Sequence, residues 1–218
     1  MEALLIRLVR SALLAAMLAS WSGCDYFKPA QPEAPSERQT FVPNYSDPDS
    51  TLVTIARSIE DKGVTVGGVA YGNAFADSIG AGLPYGYHQF FDPIDAAAWS
   101  STSLRNPPIW DYSQEQTFYR SFVRLRNDQY VCTWAKDPPN PDDIGANAAT
   151  IHRHYLIVSQ TIEGTQTSFL AIGYADLRML RFADGAWRIV LWNDRRDPKA
   201  DPNDQQQQTL GMQRLTAP

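Results

Sequence analysis

Residues 173–194 read GYADLRMLRFADGAWRIVLWND, and no other stretch of the chain carries so clear a structural signal. Apolar and polar residues alternate along it with a period of two, which is typical of β-strands with one buried face. The tripeptide ADG interrupts the alternation with turn-forming residues, so two antiparallel strands are joined there. We predict strands over 165–182 and 186–194, both longer than the average strand.

The alternation also predicts which side chains face inward. In the first strand one face is wholly apolar and should pack against helices; its members are Gly173, Ala175, Leu177 and Met179. Tyr174 and Asp176 lie on the opposite face, where polar groups remain in contact with water. The sheet therefore has one buried and one accessible side.

In the second strand the alternation shifts by one residue. Trp187 and Ile189 follow one parity, whereas Trp192 and Asp194 follow the other. A β-bulge at 190–191 brings all four side chains to the same face, and we predict one there. Asp194 then points into the concave side of the sheet. The alternative is that Asp194 pairs with one of the two arginines that follow it or accepts a hydrogen bond from a neighbouring backbone group.

The remaining pattern places helices before the strands. Helical spacing predicts a first helix capped by Asp49 or Ser50 and a long one capped by Ser113. The full set is helices over 49–60, 69–79, 93–99 and 113–125, a short strand over 87–91, and long strands over 128–136 and 150–163. Helices followed by an antiparallel meander indicate an α+β fold in which the helices cover one face of a curved sheet.

This order of elements is similar to the nuclear transport factor 2-like (NTF2-like) fold, the cone shared by SnoaL-like proteins and ketosteroid isomerase. More narrowly, the chain resembles bacterial NTF2-like lipoproteins of unknown function. Besides the hairpin quoted above, the resemblance rests on FFDPIDAAAW (90–99), WDYSQEQTFYRSFVRL (110–125), HYLIV (154–158) and QTLGMQRL (208–215). It implies N-terminal helices packed on a curved, mostly antiparallel sheet of long C-terminal strands. It also implies that the open sheet face makes a homodimer.

The N-terminus has the features of an export signal. Arg7 and Arg10 precede the apolar stretch 11–19, which is too short to span a bilayer. Small residues then precede Cys24, and the SGC junction resembles the lipobox of bacterial lipoproteins. That resemblance implies cleavage after residue 23, acylation of Cys24, and a protein anchored in a bacterial cell membrane that faces the periplasm or the exterior. An ordinary secretory signal with an incidental cysteine is the alternative.

Four segments follow from these features. Residues 1–23 are the lipoprotein signal peptide, and 24–49 comprise the lipidated cysteine and a proline-rich tether that holds the domain off the membrane. The NTF2-like domain covers 50–198. Residues 199–218 are a polar C-terminal tail.

Composition excludes several classes of function. The chain has 218 residues and a formal net charge of −5, which leaves too little positive charge to bind a phosphate backbone, so we expect no nucleic-acid partner. Its two cysteines cannot form a disulfide framework, and Cys132 lies in an apolar run, where we expect it to be a small buried side chain. Nucleophile-elbow, P-loop and dinucleotide motifs are missing from the sequence, and we expect no cofactor.

Two groups of residues could bind metal, and we favour a structural account for both. His152 and His154 form an H-x-H pair, and His88 is the third histidine; three histidines can hold zinc, but a solvated strand face explains this spacing more simply. The loop 137–147 contains Asp137, Asp142 and Asp143, without the ligand spacing of a calcium loop. We therefore predict no metal site.

The candidate pocket residues are Tyr155, Trp192 and Asp194, with Asp92 and Asp95 as further carboxylates that could reach the cone. We expect the aromatic residues Trp99, Trp110, Phe118, Tyr119 and Trp134 to belong to the core.

We expect a membrane-tethered, non-enzymatic binding or assembly module. One alternative is a carrier with a small apolar ligand in the cone, which requires an accessible cavity of roughly 300 Å³. The other is an isomerase or dehydratase of the SnoaL type, which requires a pocket carboxylate with a raised pKa. Bulky side chains that fill the cone would count against both alternatives.

Overall fold

A seven-stranded sheet organises the protein. The computed structural model describes residues 41–61, 66–124, 129–160, 167–199 and 208–217. Helices in these ranges are α1 (Pro48–Asp61), α2 (Val66–Asn73), α3 (Pro93–Ser103), α4 (Tyr112–Arg124) and α5 (Leu210–Thr216). The strands are β1 (His88–Phe90), β2 (Trp110–Asp111), β3 (Gln129–Lys136), β4 (Asp143–Ile144), β5 (Ala148–Gln160), β6 (Thr167–Arg181) and β7 (Trp187–Arg195).

The strand order is β2-β1-β7-β6-β5-β3, and β4 pairs with β5 outside this path. Only the β1–β7 pairing is parallel; the other pairings within the described residues are antiparallel. The predicted α+β fold, with helices on one face of a curved and mostly antiparallel sheet, is confirmed.

A β-bulge in β7 sets the inward face of that strand. Arg178 pairs with Leu191, but the next residue of β6, Met179, pairs with Ile189, so Val190 is the extra residue. The bulge consequently buries all four side chains whose parity disagreed, namely Trp187, Ile189, Trp192 and Asp194. The bulge predicted from parity is confirmed. The predicted apolar face of β6 is confirmed as well, since Ala175, Leu177 and Met179 are fully buried.

The helix N-termini correct two predictions. The carboxylate of Asp47 accepts a hydrogen bond from the Ser50 backbone N–H at 2.8 Å, so the cap of α1 is Asp47 and not Asp49 or Ser50. Helix α4 is capped by Asp111, whose carboxylate accepts from the Gln114 backbone N–H at 3.0 Å, and the predicted cap at Ser113 is wrong. In both cases the helix begins before the predicted cap, because an earlier aspartate supplies the side-chain acceptor.

Helix α2 is shorter than the sequence predicts because the residues that follow it form backbone hydrogen bonds with β7. The helix ends at Asn73, whereas the prediction extended to residue 79. The Ile189 backbone N–H donates to the Ala74 carbonyl at 2.8 Å, and the Ala76 N–H donates to the Ile189 carbonyl at 3.0 Å. These sheet-like bonds satisfy backbone groups that a longer helix would have used internally.

The core lies between the helices and the concave side of the sheet. Trp110, Phe118 and Tyr119 are buried there as predicted, whereas Trp99 and Trp134 are only half-buried. Cys132 is buried, and burial raises the pKa of its thiol well above the usual range, so it is a packing residue, as expected.

The close approach of β5, β6 and β7 at Gly173 leads to a testable expectation. A Cβ atom at Gly173 would lie 2.6 Å from the Tyr155 hydroxyl and 2.8 Å from the Arg195 carbonyl oxygen, and that backbone cannot move independently of the sheet. We expect Gly173→Ala to lower the free energy of unfolding by about 1–3 kcal/mol in urea titrations.

Gly68→Ala is the matched control, because a Cβ there meets only the Tyr119 ring, at an ordinary 3.7 Å, on a helix that favours alanine. Equal effects of the two substitutions would contradict the packing described at Gly173.

Candidate functional site

The concave side of the sheet is occupied by the last helix of the chain. Leu210 and Leu215 of α5 are buried, and the Ile172 backbone N–H donates to the Gln208 carbonyl at 2.9 Å. Ile172 lies two residues before Tyr174, the first residue of β6 that pairs with β7. Leu210, Arg214 and Leu215 therefore belong to the core, although the sequence predicted a polar tail over 199–218.

The α5 helix is anchored at its start by a buried carboxylate from α3. The Thr209 hydroxyl accepts a hydrogen bond from the Met212 backbone N–H at 3.0 Å, as a helix cap does, and donates to the Asp95 carboxylate. Arg196 Nε donates to the other oxygen of Asp95 at 2.7 Å. Burial raises the pKa of Asp95, and the Thr209 hydrogen bond and the Arg196 charge oppose the rise.

Asp92 has a related structural task. Its carboxylate caps α3 by accepting from the Ile94 backbone N–H at 2.8 Å, and it also accepts from the Arg196 backbone N–H at 3.0 Å. Asp92 and Asp95, which the sequence offered as pocket carboxylates, thus connect α3 to the segments after β7 and before α5.

The structure brings the three predicted pocket residues together. The Tyr155 hydroxyl donates to Asp194 Oδ1 at 2.7 Å, and the Tyr155 and Trp192 ring centroids are 6.2 Å apart. Asp194 Oδ2 accepts from the Gly211 backbone N–H at 2.5 Å, and the Tyr155 oxygen accepts from the Leu210 N–H at 2.8 Å. All three side chains are 0% exposed, so α5 closes them off from solvent.

Both expectations for Asp194 hold in part. Its side chain points into the concave interior, as the bulge requires, and it accepts from a backbone group, as the structural alternative proposed. It does not bind the arginines that follow it, because Arg195 pairs with Asp176 at 2.8 Å and Arg196 pairs with Asp95.

Beside this cluster lies a buried ion pair that is not predicted from the sequence. Arg214 of α5 donates through Nε and Nη2 to the two oxygens of Glu115, at 2.8 and 2.7 Å, and both side chains are 0% exposed. The Tyr71 hydroxyl and Trp110 Nε1 donate to the same carboxylate at 2.5 and 2.7 Å. The carboxylate therefore accepts four hydrogen bonds, which is what a buried charge requires.

A signal for this pair exists in the sequence. Glu115 shares a helical face with Phe118 and Phe122, and a glutamate on an apolar face is rarely buried without a partner. The identity of the partner is not visible, since Arg214 lies 99 residues further along the chain.

Burial dominates the proton equilibria of the cluster. It raises the pKa of Asp194 to about 6, although the charge of Arg214 and the hydrogen bonds from Tyr155 and Gly211 act in the opposite direction. Burial and the neighbouring charge of Asp194 raise the pKa of the Tyr155 hydroxyl well above its usual value. Asp194 is thus a carboxylate of unusual basicity that no solvent reaches.

Two of the three histidines contact carboxylates. His152 Nδ1 lies 2.7 Å from Asp176 Oδ1, and His154 Nε2 lies 3.2 Å from Asp197 Oδ2, whereas His88 is exposed on β1. No group of three metal-ligating side chains occurs among the residues that the structure describes.

The acidic loop is held by arginines. Asp142 accepts from Arg153 Nη1 at 2.7 Å, and Arg153, itself buried, also reaches Asp49 at 2.6 Å. Asp137 lies 3.5 Å from Arg195. Asp142 thus neutralises a buried arginine and Asp137 a partly exposed one, while Asp143 stands exposed on β4.

An open groove runs along α4 and is accessible from solvent. One half, of about 580 Å³, is lined by Asp77, His88 and Tyr112 among others. The other half, of about 500 Å³, lies toward α2, and the two share Tyr112, Gln116 and Arg120. We call this the α4 groove. It combines aromatic surface, an amide and a guanidinium, and so could hold a polar ligand.

No protein-family model matches the sequence, and no curated protein matches it significantly. Solved structures are similar to it in fold. One is a protein of unknown function from Mycobacterium tuberculosis (14% identity, 77% of this chain and 88% of that chain covered, TM-score 0.48).

Two further structures carry fold-family names. An NTF2-like superfamily protein from Salmonella enterica matches at 14% identity over 71% of this chain and 91% of that chain, with a TM-score of 0.45. A protein with a cystatin-like fold from Nostoc punctiforme matches at 10% identity over 69% and 89%, with a TM-score of 0.46. All three structures are under 25% identical to this chain, so the likeness concerns the fold alone.

The predicted lipid-attachment residue, Cys24, lies outside the described residues, as do the predicted signal peptide and most of the predicted tether. Among the helices of the described ranges, none has the length and apolar character needed to cross a bilayer.

The raised pKa of Asp194 predicts a particular pH dependence of stability. Because the folded-state pKa, about 6, exceeds the ordinary value of 3.8, the folded protein binds more protons than the unfolded chain between these values. Stability conferred by protonated Asp194 is therefore lost as pH rises from 4 to 6, by up to roughly 3 kcal/mol. Urea unfolding of the wild type and Asp194→Asn at pH 4, 5, 6 and 7 should show their difference shifting in favour of the variant.

Asp184→Asn is the control, because the Arg188 hydrogen bond lowers the pKa of that carboxyl and its contribution is lost only below about pH 4. Parallel pH profiles for the wild type and Asp194→Asn would show that Asp194 keeps an ordinary pKa in the folded protein.

Proposed function

We propose that the protein is a lipid-anchored, non-enzymatic binding module of the bacterial cell envelope, built on an NTF2-like cone. The observation that carries this proposal is that α5 fills the cone and leaves Tyr155, Trp192 and Asp194 without solvent exposure. A closed cone cannot admit a substrate, so binding falls to outer surfaces.

The hydrogen bonding of the buried carboxylates supports the same view. Glu115 is committed to Arg214, Asp95 to Arg196 and Thr209, and Asp194 to Tyr155 and the backbone of Gly211. A general base must reach a substrate proton, and each of these groups already binds protein donors. The α4 groove, in contrast, is open, and Tyr112 and Arg120 line both of its halves.

The membrane part of the proposal rests on the sequence. The SGC junction at Cys24 and the prolines of 24–49 suit an acylated terminus followed by a spacer. We place the module on a bacterial cell membrane, facing the periplasm or the exterior, with its lipid as the membrane contact. A homodimer through the outer sheet face belongs to the same proposal.

A second candidate function has one observation in its favour. Asp194, with a pKa of about 6 and the Tyr155 hydroxyl at 2.7 Å, has the basicity that an isomerase or dehydratase of the SnoaL type needs in its cone. This function requires α5 to leave the cone during turnover. The carrier alternative is not favoured, because the space for an apolar ligand is occupied by α5 and by Trp192.

Lipid anchoring predicts a defined mass difference. We expect the purified full-length product to begin at Cys24 and to carry acyl chains, whereas Cys24→Ser abolishes both processing and acylation. Intact-mass spectrometry of the two products measures this directly. Products that differ only by the exchange of sulfur for oxygen would exclude a lipid anchor.

Because the cone is closed, we expect the purified protein to carry no bound small molecule. Native mass spectrometry of residues 41–218, a compact unit, should give the apo mass of a monomer or dimer after gentle purification. A reproducible extra mass that leaves on mild activation would contradict the proposal and favour a carrier or an enzyme. The same spectrum reports whether the proposed homodimer forms.

A further inference from the structure

The carboxylate of Glu115 is held in place by groups that do not belong to α5. The Tyr71 hydroxyl, from α2, donates to one oxygen at 2.5 Å, and Trp110 Nε1, from β2, donates to the other at 2.7 Å. The position of the carboxylate is therefore fixed whether or not Arg214 is bound. Such an acceptor is preorganised for a two-pronged guanidinium contact.

The shape of the site around Arg214 suits arginine in particular. Its Nε and Nη2 atoms bind the two oxygens of Glu115, while the guanidinium carbon lies 4.4 Å from the centroid of Trp192 and 5.4 Å from that of Phe118. A planar fork between aromatic rings is a geometry that lysine cannot reproduce.

The cone also contacts the backbone that leads to Arg214. Three main-chain hydrogen bonds join it to residues 208–211: Ile172 N–H to the Gln208 carbonyl, Leu210 N–H to the Tyr155 oxygen, and Gly211 N–H to Asp194. Recognition of backbone groups together with one anchoring side chain is how proteins bind short peptides.

Two side-chain positions before the arginine are restricted as well. A Cβ atom at Gly211 would lie 2.6 Å from Asp194 Oδ2 and 3.2 Å from the Phe91 ring, so glycine is required there. The Thr209 hydroxyl binds Asp95. The cone thus selects the pattern threonine, a buried apolar residue, glycine, two partly exposed residues, arginine, which residues 209–214 satisfy.

Some buried hydrogen-bond donors around α5 are unused. Gln89 Nε2, Trp192 Nε1 and Arg214 Nη1 are buried and find no acceptor among the described residues. They form one cluster, because Gln89 and Trp192 are register partners and Arg214 lies over the Trp192 ring. Buried donors without partners are uncommon in permanently packed cores, and they weaken the binding of α5 in the cone.

We propose that the cone is a binding site for an arginine-bearing peptide segment of this pattern, and that α5 is its tethered resident ligand. Covalent attachment gives α5 a high effective concentration, so a free peptide cannot compete while the chain is intact. Severing the chain between Lys199 and Gln208 removes this advantage and makes the site accessible in trans.

The experiment introduces a protease site within residues 200–207 of the full chain, which folds before it is cut. A fluorescein-labelled peptide of residues 208–218 is then added in excess, and its incorporation is followed by fluorescence anisotropy. We expect incorporation after cleavage and at least roughly 10-fold less without it. A peptide with citrulline, neutral and nearly isosteric, in place of Arg214 should bind at least roughly 10-fold more weakly.

Thr216→Ala in the peptide is the matched control, because the Thr216 hydroxyl is exposed and bonds only to its own helix, so affinity should be unchanged. Three results would overturn the inference: α5 that stays bound and does not exchange, unfolding on cleavage as seen by circular dichroism, or equal binding of the citrulline peptide. None of these results bears on the proposed lipid anchor, which rests on Cys24 and is tested separately by intact mass. Unfolding on cleavage would remove the α4 groove as well, since α4 carries Glu115, the partner of Arg214.

Discussion

The buried pair of Glu115 and Arg214 is the interaction on which the rest of the structure depends. It joins α4 to α5, and through Tyr71 and Trp110 it also fixes α2 and β2 at one point. Transferring two charges from water to a protein interior is costly, and removing one partner alone typically costs about 3–5 kcal/mol. The polar hydrogen bonds around the pair make its position specific, because an apolar replacement would fill the space without fixing the orientation of α5.

The bulge at Val190 is the second constraint, and it makes the first possible. Without the extra residue, Trp192 and Asp194 would face the outer side of the sheet. Arg214 would then lack the aromatic ring it stacks on, and the Gly211 backbone would lack its acceptor. A local irregularity of one residue therefore decides whether the last helix can lie in the cone.

The sequence predicts those features that local periodicity determines. The long strands, the apolar face of β6 and the bulge follow from alternation and parity, which are properties of neighbouring residues. The sequence pattern does not single out Asp47 and Asp111 as the helix caps, because several nearby polar residues can also serve as caps. The Glu115–Arg214 pair and the burial of α5 could not be predicted from the sequence pattern. The α5 segment is short and follows a polar run, and the residues that it contacts lie far away in the chain.

The terminal segment decides whether the concave face of the sheet is open or closed. The inner face of the sheet presents a tyrosine, a tryptophan and an aspartate whose basicity burial has raised, a set suited to chemistry or to ligand binding. Once α5 is in place, the tyrosine and the aspartate bind its backbone directly, and Arg214 lies over the tryptophan ring. Fold alone does not distinguish an open cone from a closed one. The distinction lies in residues 208–217, outside the strands and helices that define the fold class.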